Sequence, residues 1–183
     1  MRVIAGMLKG RRLKTPTWDG LRPTSDKLRE TLFNVLAPRI AGARVLDGYA
    51  GTGAVGIEAL SRGAAQVTFV ERDRRAHDLI VENLAHCGIE SGCAIIRGSL
   101  DRAVERARAA GSLGPFDIVL LDPPYGDAPA DVVRAASALV APGGVLVLEH
   151  AARSRAPDRV GSLVRTRELT SGDSRLTLYE VKR

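Results

Sequence analysis

From residue 44 onward the chain alternates short apolar runs with helical patterns, and no other feature narrows its possible folds as much. ARVLDG (43–48), QVTFVE (66–71), CAIIRG (93–98), FDIVLLD (116–122) and VLVLEH (145–150) read as strands. AVGIEALSRG (54–63), DRRAHDLIVENLAHCG (73–88), LDRAVERARAAG (100–111) and DAPADVVRAASALVAPGG (127–144) read as the helices between them. FDIVLLD is apolar almost throughout, as expected of a strand covered on both faces. Strand–helix alternation of this kind predicts a parallel, doubly wound α/β sheet. SLVRTREL (162–169) and RLTLYEVKR (175–183) instead alternate apolar and polar residues around SGDS, which predicts an antiparallel C-terminal strand pair closing one edge. The expectation is one domain over residues 1–183, built on a mostly parallel seven-stranded sheet with helices on both faces.

The N-terminal part breaks the pattern. Residues 1–20 place RVIAG and RRLK around MLKG, which predicts a β-hairpin, and 22–37 predict a helix capped by Thr24, Ser25 or Asp26. Leu28, Leu32, Val35 and Leu36 would form its buried face. This end also carries the chain's charge. Residues 1–44 hold 10 Lys and Arg against 3 Asp and Glu, a balance of +7; the remaining residues hold 17 against 18. Arg outnumbers Lys 23 to 4, which compositional bias explains, but bias does not explain one-sided placement. A polyanion-binding arm does, because exposed cations contact phosphates.

Other bulk features exclude function classes. No apolar run approaches the roughly 20 residues that span a bilayer. MRVIAGMLKGRR has no signal-peptide core, so a cytoplasmic protein without membrane association is expected. Cys87 and Cys93 lack metal-ligand spacing and are expected to be reduced and structural, with no metal site. No exposed apolar stripe announces a partner subunit, so a monomer is the default.

Two motifs carry chemistry. VLDGYAGTGAVG (45–56) sets Gly51, Gly53 and Gly56 in a G-x-G-x-x-G between a strand and a helix, with Glu71 twenty residues beyond Gly51. That spacing is the dinucleotide fingerprint as usually written. Here, however, the strand ends in Asp47, and Tyr49 and Ala50 precede the glycines. An acid at this turn repels a pyrophosphate but suits a cationic amino-acid moiety, as in S-adenosylmethionine. Glycines at 51 and 53 allow close backbone approach. Glu71, with Arg72 beside it, is placed to accept from ribose hydroxyls. Ser99 and Leu100, after the third strand, would flank the adenine, although Ser99 also reads as a helix cap. A nicotinamide-dependent oxidoreductase and a plain acidic turn remain the alternatives at this loop.

The second motif is Asp122-Pro123-Pro124-Tyr125, where the fourth strand ends. Ligands of open α/β sheets bind at the carboxyl ends of the strands. Prolines fix φ and donate no hydrogen, leaving carbonyls for a ligand. The Asp122 carboxylate and the Pro123 carbonyl can together accept both hydrogens of a planar –NH2 group, and Tyr125 offers a stacking face.

In combination, Asp47-x-x-x-Gly51-x-Gly53, Glu71 and Asp122-Pro123-Pro124-Tyr125 resemble the class I S-adenosylmethionine-dependent amino-methyltransferases, whose fold is Rossmann-like. RVIAG…KGRRL (2–6 and 9–13), RPTSDKLRETLFNVL (22–36) and GDSRLTLYE (172–180) are similar, more specifically, to the bacterial 16S rRNA guanine-N2 methyltransferases of the RsmD family. The resemblance runs nearly end to end. It implies methylation of the 2-amino group of guanine 966 in 16S rRNA, within the 30S subunit or an assembly intermediate. It also implies phosphate contacts from Arg2, Lys9, Arg11, Arg12 and Lys14, and places Arg22, Thr24 and Arg29 near the cleft. Phe33 and Asn34 would shape a cofactor lid or simply pack the helix. Gly48 departs from the pattern, which normally has a bulky apolar residue after the acid. Adenine-N6 methylation is the rival within the same chemistry, since the Asp-Pro-Pro-Tyr corner permits it. Release-factor glutamine methylation would put Asn at 122, and a non-catalytic RNA-binding module would not need Asp47, Glu71 and Asp122.

Overall fold

The computed structural model of the protein describes residues 1–20, 25–110, 114–124 and 126–182. Its centre is one sheet in the order β3-β2-β1-β4-β5-β8-β7-β6. The five parallel strands are β1 (Arg44–Asp47), β2 (Gln66–Glu71), β3 (Cys93–Arg97), β4 (Phe116–Leu121) and β5 (Val140–Ala151). The antiparallel edge consists of β6 (Arg159–Val160), β7 (Leu163–Ser171) and β8 (Ser174–Val181). The sheet therefore has eight strands rather than seven. The extra one is the two-residue β6, too short for any hydrophobic period to reveal it. A second correction concerns residues 127–144. Helix ends at Ala136, a single 3-10 turn covers Ser137–Leu139, and Val140 to Gly144 already belong to β5. Val140 pairs with Phe116 and Val145 with Ile118, so the intervening Pro-Gly-Gly forms a bulge in the strand.

Alternation along the strands sorts side chains to two cores. Val45, Val67, Phe69, Ile118, Leu120 and Val147 face α1 (Asp26–Ile40), α2 (Ala54–Ser61) and α3 (Arg74–Cys87). Leu46, Val70, Val119, Leu121 and Leu148 face α4 (Leu100–Ala110) and α5 (Pro129–Ala136). On α1, Leu28, Leu32 and Leu36 are buried as expected while Val35 is half-buried, and on α3 Leu79, Ile80, Leu84 and Cys87 are buried. The predicted N-terminal helix begins later and runs on to Ile40; Ser25 caps it by accepting the Leu28 amide at 3.2 Å. Cys87 and Cys93 are free thiols. Among the described residues, no helix is long and apolar enough to cross a membrane.

The N-terminal arm is hairpin-like but carries one antiparallel bridge, Arg2 to Arg12, instead of two strands. Its backbone is satisfied by the body of the protein. Glu58, fully buried on α2, accepts the amides of Ile4 at 2.7 Å and Ala5 at 3.0 Å and also binds Arg62 Nε at 2.7 Å. Asn83 on α3 accepts the Lys14 amide at 2.7 Å and donates to the carbonyls of Lys14 and Thr52. The arm's tip docks where α2 ends: Met7 N donates to Ser61 O and Leu8 N to Ser61 Oγ. Val3 and Leu13 are buried beneath it.

Gly6 makes that docking possible. Its φ is +83°, and a Cβ there would lie 1.8 Å from Ser61 O. A left-handed conformation alone costs a residue with a side chain about 1–2 kcal/mol. Gly6→Ala should undock the tip while sparing the sheet. The measurement is limited trypsinolysis: cleavage after Lys9, Arg11 and Arg12 accelerates at least tenfold with an unchanged far-ultraviolet circular dichroism spectrum.

Candidate active site

The sheet order reverses between β1 and β4, because the chain winds from β1 to β3 on one side and from β4 to β5 on the other. Such a switch point leaves a crevice above the strand ends. It holds a cavity of about 950 Å³, lined by the turn after β1, the ends of β2 and β4, the start of α4, the first turn of α1 and the β7–β8 turn. Both sequence motifs open into it.

The glycine turn is pinned by two acids. Asp47 ends β1 with 5% of its surface exposed, and its Oδ2 accepts the Gly56 amide at 3.0 Å, inside the first turn of α2. Glu71 ends β2; its Oε2 accepts the Gly51 amide and its Oε1 the Asp73 amide, both at 2.8 Å. Gly53 caps α2 with φ +77°, a conformation a side chain would strain. Burial pushes the Asp47 carboxyl up to about 7, partly offset by the Gly56 hydrogen bond and reinforced by the nearby Glu71 charge. Tyr49, half-buried in the wall, is likewise pushed up to about 12 by burial and then by Asp127 and Asp101.

These contacts bear on which ligand fits. A pyrophosphate would compete with the Asp47 carboxylate for the start of α2. Moreover, eight carboxylates and two cations, Lys27 and Arg72, line the cavity among the described residues. A site of that polarity suits a cationic ligand and disfavours a dinucleotide. Ser99 and Leu100 line the same space. The Ser99 carbonyl accepts the Ala103 amide at 2.9 Å, which sets Ser99 at the start of α4 as well as on the cavity wall. Gly48 has a steric reason: a Cβ there would lie 2.6 Å from Leu121 Cδ2 and 3.4 Å from Leu100 Cδ1. Those two leucines fill the space a larger residue would need.

At the end of β4, Asp122 is half-buried and, with Pro123 and Pro124, lines the cavity. Pro123 is buried; the Pro124 carbonyl accepts the Asp127 amide at 3.0 Å and closes the turn. Tyr125 lies outside the described residues, as do Arg22 and Thr24.

The basic residues divide differently from expectation. Arg2, Lys9, Arg11, Arg12 and Lys14 are exposed along the arm. Lys14 pairs with Glu82 at 2.9 Å, and Arg11 reaches the His86 carbonyl at 3.4 Å, near the C-terminal end of α3. Arg29 is a correction. It is fully buried, and its Nη2 donates to Arg2 O and Asp26 Oδ1, both at 2.7 Å. It locks the arm to α1 and offers no charge to a ligand. Phe33 is also core, stacked 5.0 Å beneath the Arg62 guanidinium, while Asn34 is exposed; neither lines the cavity. Sequence reasoning missed Lys27, Glu149 and Ser174 in the wall. For Ser174 a signal existed, since it lies in the GDSRLTLYE segment.

Comparison with known proteins gives the family. Residues 1–180 match the family described as "Conserved hypothetical protein 95". The chain belongs to that family, the RsmD family of methyltransferases. It is 37% identical over 188 residues to the Bacillus subtilis protein named "Putative rRNA methyltransferase YlbH", covering 98% of each chain. Over 125 residues it is 45% identical to "Ribosomal RNA small subunit methyltransferase D" of Escherichia coli, spanning 68% of this chain and 60% of that protein. Among solved structures, an Escherichia coli protein described as "Putative methyltransferase yhhF" superposes with a TM-score of 0.85 at 33% identity, covering 100% of this chain and 98% of that one.

The raised Asp47 carboxyl has a measurable consequence. Its folded value, about 7, exceeds the unfolded 3.8, so its contribution is fully present below pH 3.8 and is lost as pH rises through 7. The full cost is of order 4 kcal/mol. Asp47→Asn removes that titration, so the melting temperature of the variant relative to wild type should climb by several degrees from pH 5 to pH 8. A pH-independent difference would show that Asp47 is not a desolvated carboxylate.

Proposed function

We propose that the protein transfers a methyl group from S-adenosylmethionine to the exocyclic N2 of a guanine in small-subunit ribosomal RNA, guanine 966 of 16S rRNA by family resemblance. The observation that carries this reading is the opening of two motifs onto one acid-lined cavity: the pinned glycine turn and the Asp122-Pro123 corner. The relatives' names support small-subunit rRNA as the substrate, and the reading sets the work in the cytoplasm, on the 30S particle or its precursor.

In this reading Asp47, Tyr49, Gly51, Gly53, Glu71, Arg72, Ser99 and Leu100 hold the cofactor. Once bound, it supplies a methyl group on a sulfonium, an electrophile that needs no further activation. The protein's task is then positioning. An exocyclic amine is a weak nucleophile because its lone pair is delocalised into the ring. Asp122 and the Pro123 carbonyl accept its two hydrogens, which favours a pyramidal nitrogen and aims the lone pair into the cavity. Asp122 afterwards takes the proton that the alkylated nitrogen sheds. Tyr125 is the stacking face for the base, worth roughly 1–3 kcal/mol.

The charge distribution supports delivery of a base rather than a duplex. Arg2, Lys9, Arg11 and Arg12 lie exposed on the arm, whereas the cavity wall is acidic. Phosphates are drawn to the first and repelled by the second, so the target base must swing out of its stack to enter.

Labelled-methyl transfer to 30S particles from a strain lacking the enzyme, with the product nucleoside identified by mass spectrometry, tests the reaction; N2-methylguanosine is expected. Asp122→Ala should lower the transfer rate at least a hundredfold and leave cofactor affinity within several-fold of wild type. An equal loss of cofactor affinity would remove the corner from the substrate side. Replacing Arg11 and Arg12 together with Ala should flatten the log–log salt dependence of RNA binding by about 0.7–0.9 per lost phosphate contact. An unchanged slope would remove these residues from the interface.

A further inference from the structure

The Asp122-Pro123 corner accounts for an amine but not for the choice between guanine and adenine, both of which carry one. The neighbouring strand holds a group that does. Leu121 pairs with Leu148 in the parallel β4–β5 ladder, so Asp122 and Glu149 stand level on adjacent strands. By alternation both lie on the face of Leu120 and Val147, the face on which Asp47 ends β1. Ser174 at the start of β8 shares that face, since Ala151 pairs with Ser174 and Glu149 with Leu176. Asp122, Glu149 and Ser174 all line the cavity, and the Glu149 carboxylate shares a side-chain hydrogen bond with Ser174.

Adjacent strands lie about 4.8 Å apart, so two level carboxylates can meet neighbouring positions on the edge of one base. On guanine the position beside the 2-amino group is N1–H, a donor. On adenine the position beside the 6-amino group is N1, an acceptor. A carboxylate accepts from the first and repels the second.

We infer that Glu149, oriented by Ser174, is the specificity-determining residue of this site, accepting the N1–H of the guanine whose 2-amino group is held at Asp122. The inference rests on the guanine-N2 reading above and adds to it the atom that is read. Burial pushes the Glu149 carboxyl upward, opposed by the Ser174 hydrogen bond, so an incoming N–H donor finds an under-solvated acceptor. The Ser174 hydroxyl, by donating to the carboxylate, keeps it in the acceptor role.

The test compares guanine with 2-aminopurine at the target position of ligated 16S rRNA, reconstituted into small-subunit particles. 2-Aminopurine keeps the amine but has an acceptor at N1. Wild-type protein should favour guanine in kcat/KM by about ten- to a hundredfold. Glu149→Gln, whose amide can donate to N1, should lose activity on guanine and gain it on 2-aminopurine, collapsing the ratio at least tenfold. Cofactor affinity of the variant, measured by calorimetry, should match wild type. If wild type makes N2-methylguanosine but Glu149→Gln leaves the ratio unchanged, this inference falls and the proposed function stands. If wild type methylates no guanine N2 at all, both fall together.

Discussion

The hydrogen bond from Gly56 to the Asp47 carboxylate ties the end of the central strand to the first turn of the helix that follows it. Much of the site's shape depends on it. The turn between them contains Gly51 and Gly53 in left-handed conformations, which leaves it without intrinsic rigidity. Asp47 holds it from one side and Glu71 from the other. Both acids are held in place by backbone amides, a form of satisfaction that costs no flexible side-chain partner. A buried carboxylate facing a cavity rich in negative charge is unfavourable by itself. That local cost is characteristic of a site whose complement is a cation supplied from outside.

A second constraint works away from the cleft. Glu58 is fully buried in the middle of α2 and takes two backbone amides of the arm together with the Arg62 side chain. A desolvated charge is tolerable only when paired and hydrogen-bonded, and these three donors meet that condition. Arg29 makes a further contact from α1 to the Arg2 carbonyl, on the same segment of the arm. The arm is therefore fixed to the body by side chains of α1, α2 and α3, and its exposed cations are displayed on a rigid support. Rigid display reduces the ordering cost of binding a polyanion.

These two constraints differ in how plainly the sequence announces them. The sheet was legible because each parallel strand is an apolar run between helical periods, and FDIVLLD in particular could be little else. The acids at 47, 71 and 122 were legible because each closes such a run, where α/β sheets place their ligands. Arg29 was misread for a physical reason. A basic residue one turn into a charged helix looks solvent-facing, and only the arm folded over it makes it core. Glu58 and Asn83 gave no signal at all, since their partners on the arm lie 53 to 69 residues away. The two-residue β6 and the bulge before Val145 escaped because both depend on pairing with neighbours rather than on local pattern.

Gly48 joins local pattern and topology in one place. The family resemblance leads one to expect a bulky apolar residue at 48, and a glycine there predicts a looser turn. Instead Leu121 on β4 and Leu100 at the start of α4 occupy the space that a side chain at 48 would need. Leu121 is also the residue before Asp122. The space left open at Gly48 is thus occupied by the end of β4, next to Asp122. The Gly48 amide also donates to the Leu120 carbonyl at 2.9 Å, so the turn after β1 and the end of β4 are tied together beside the cavity.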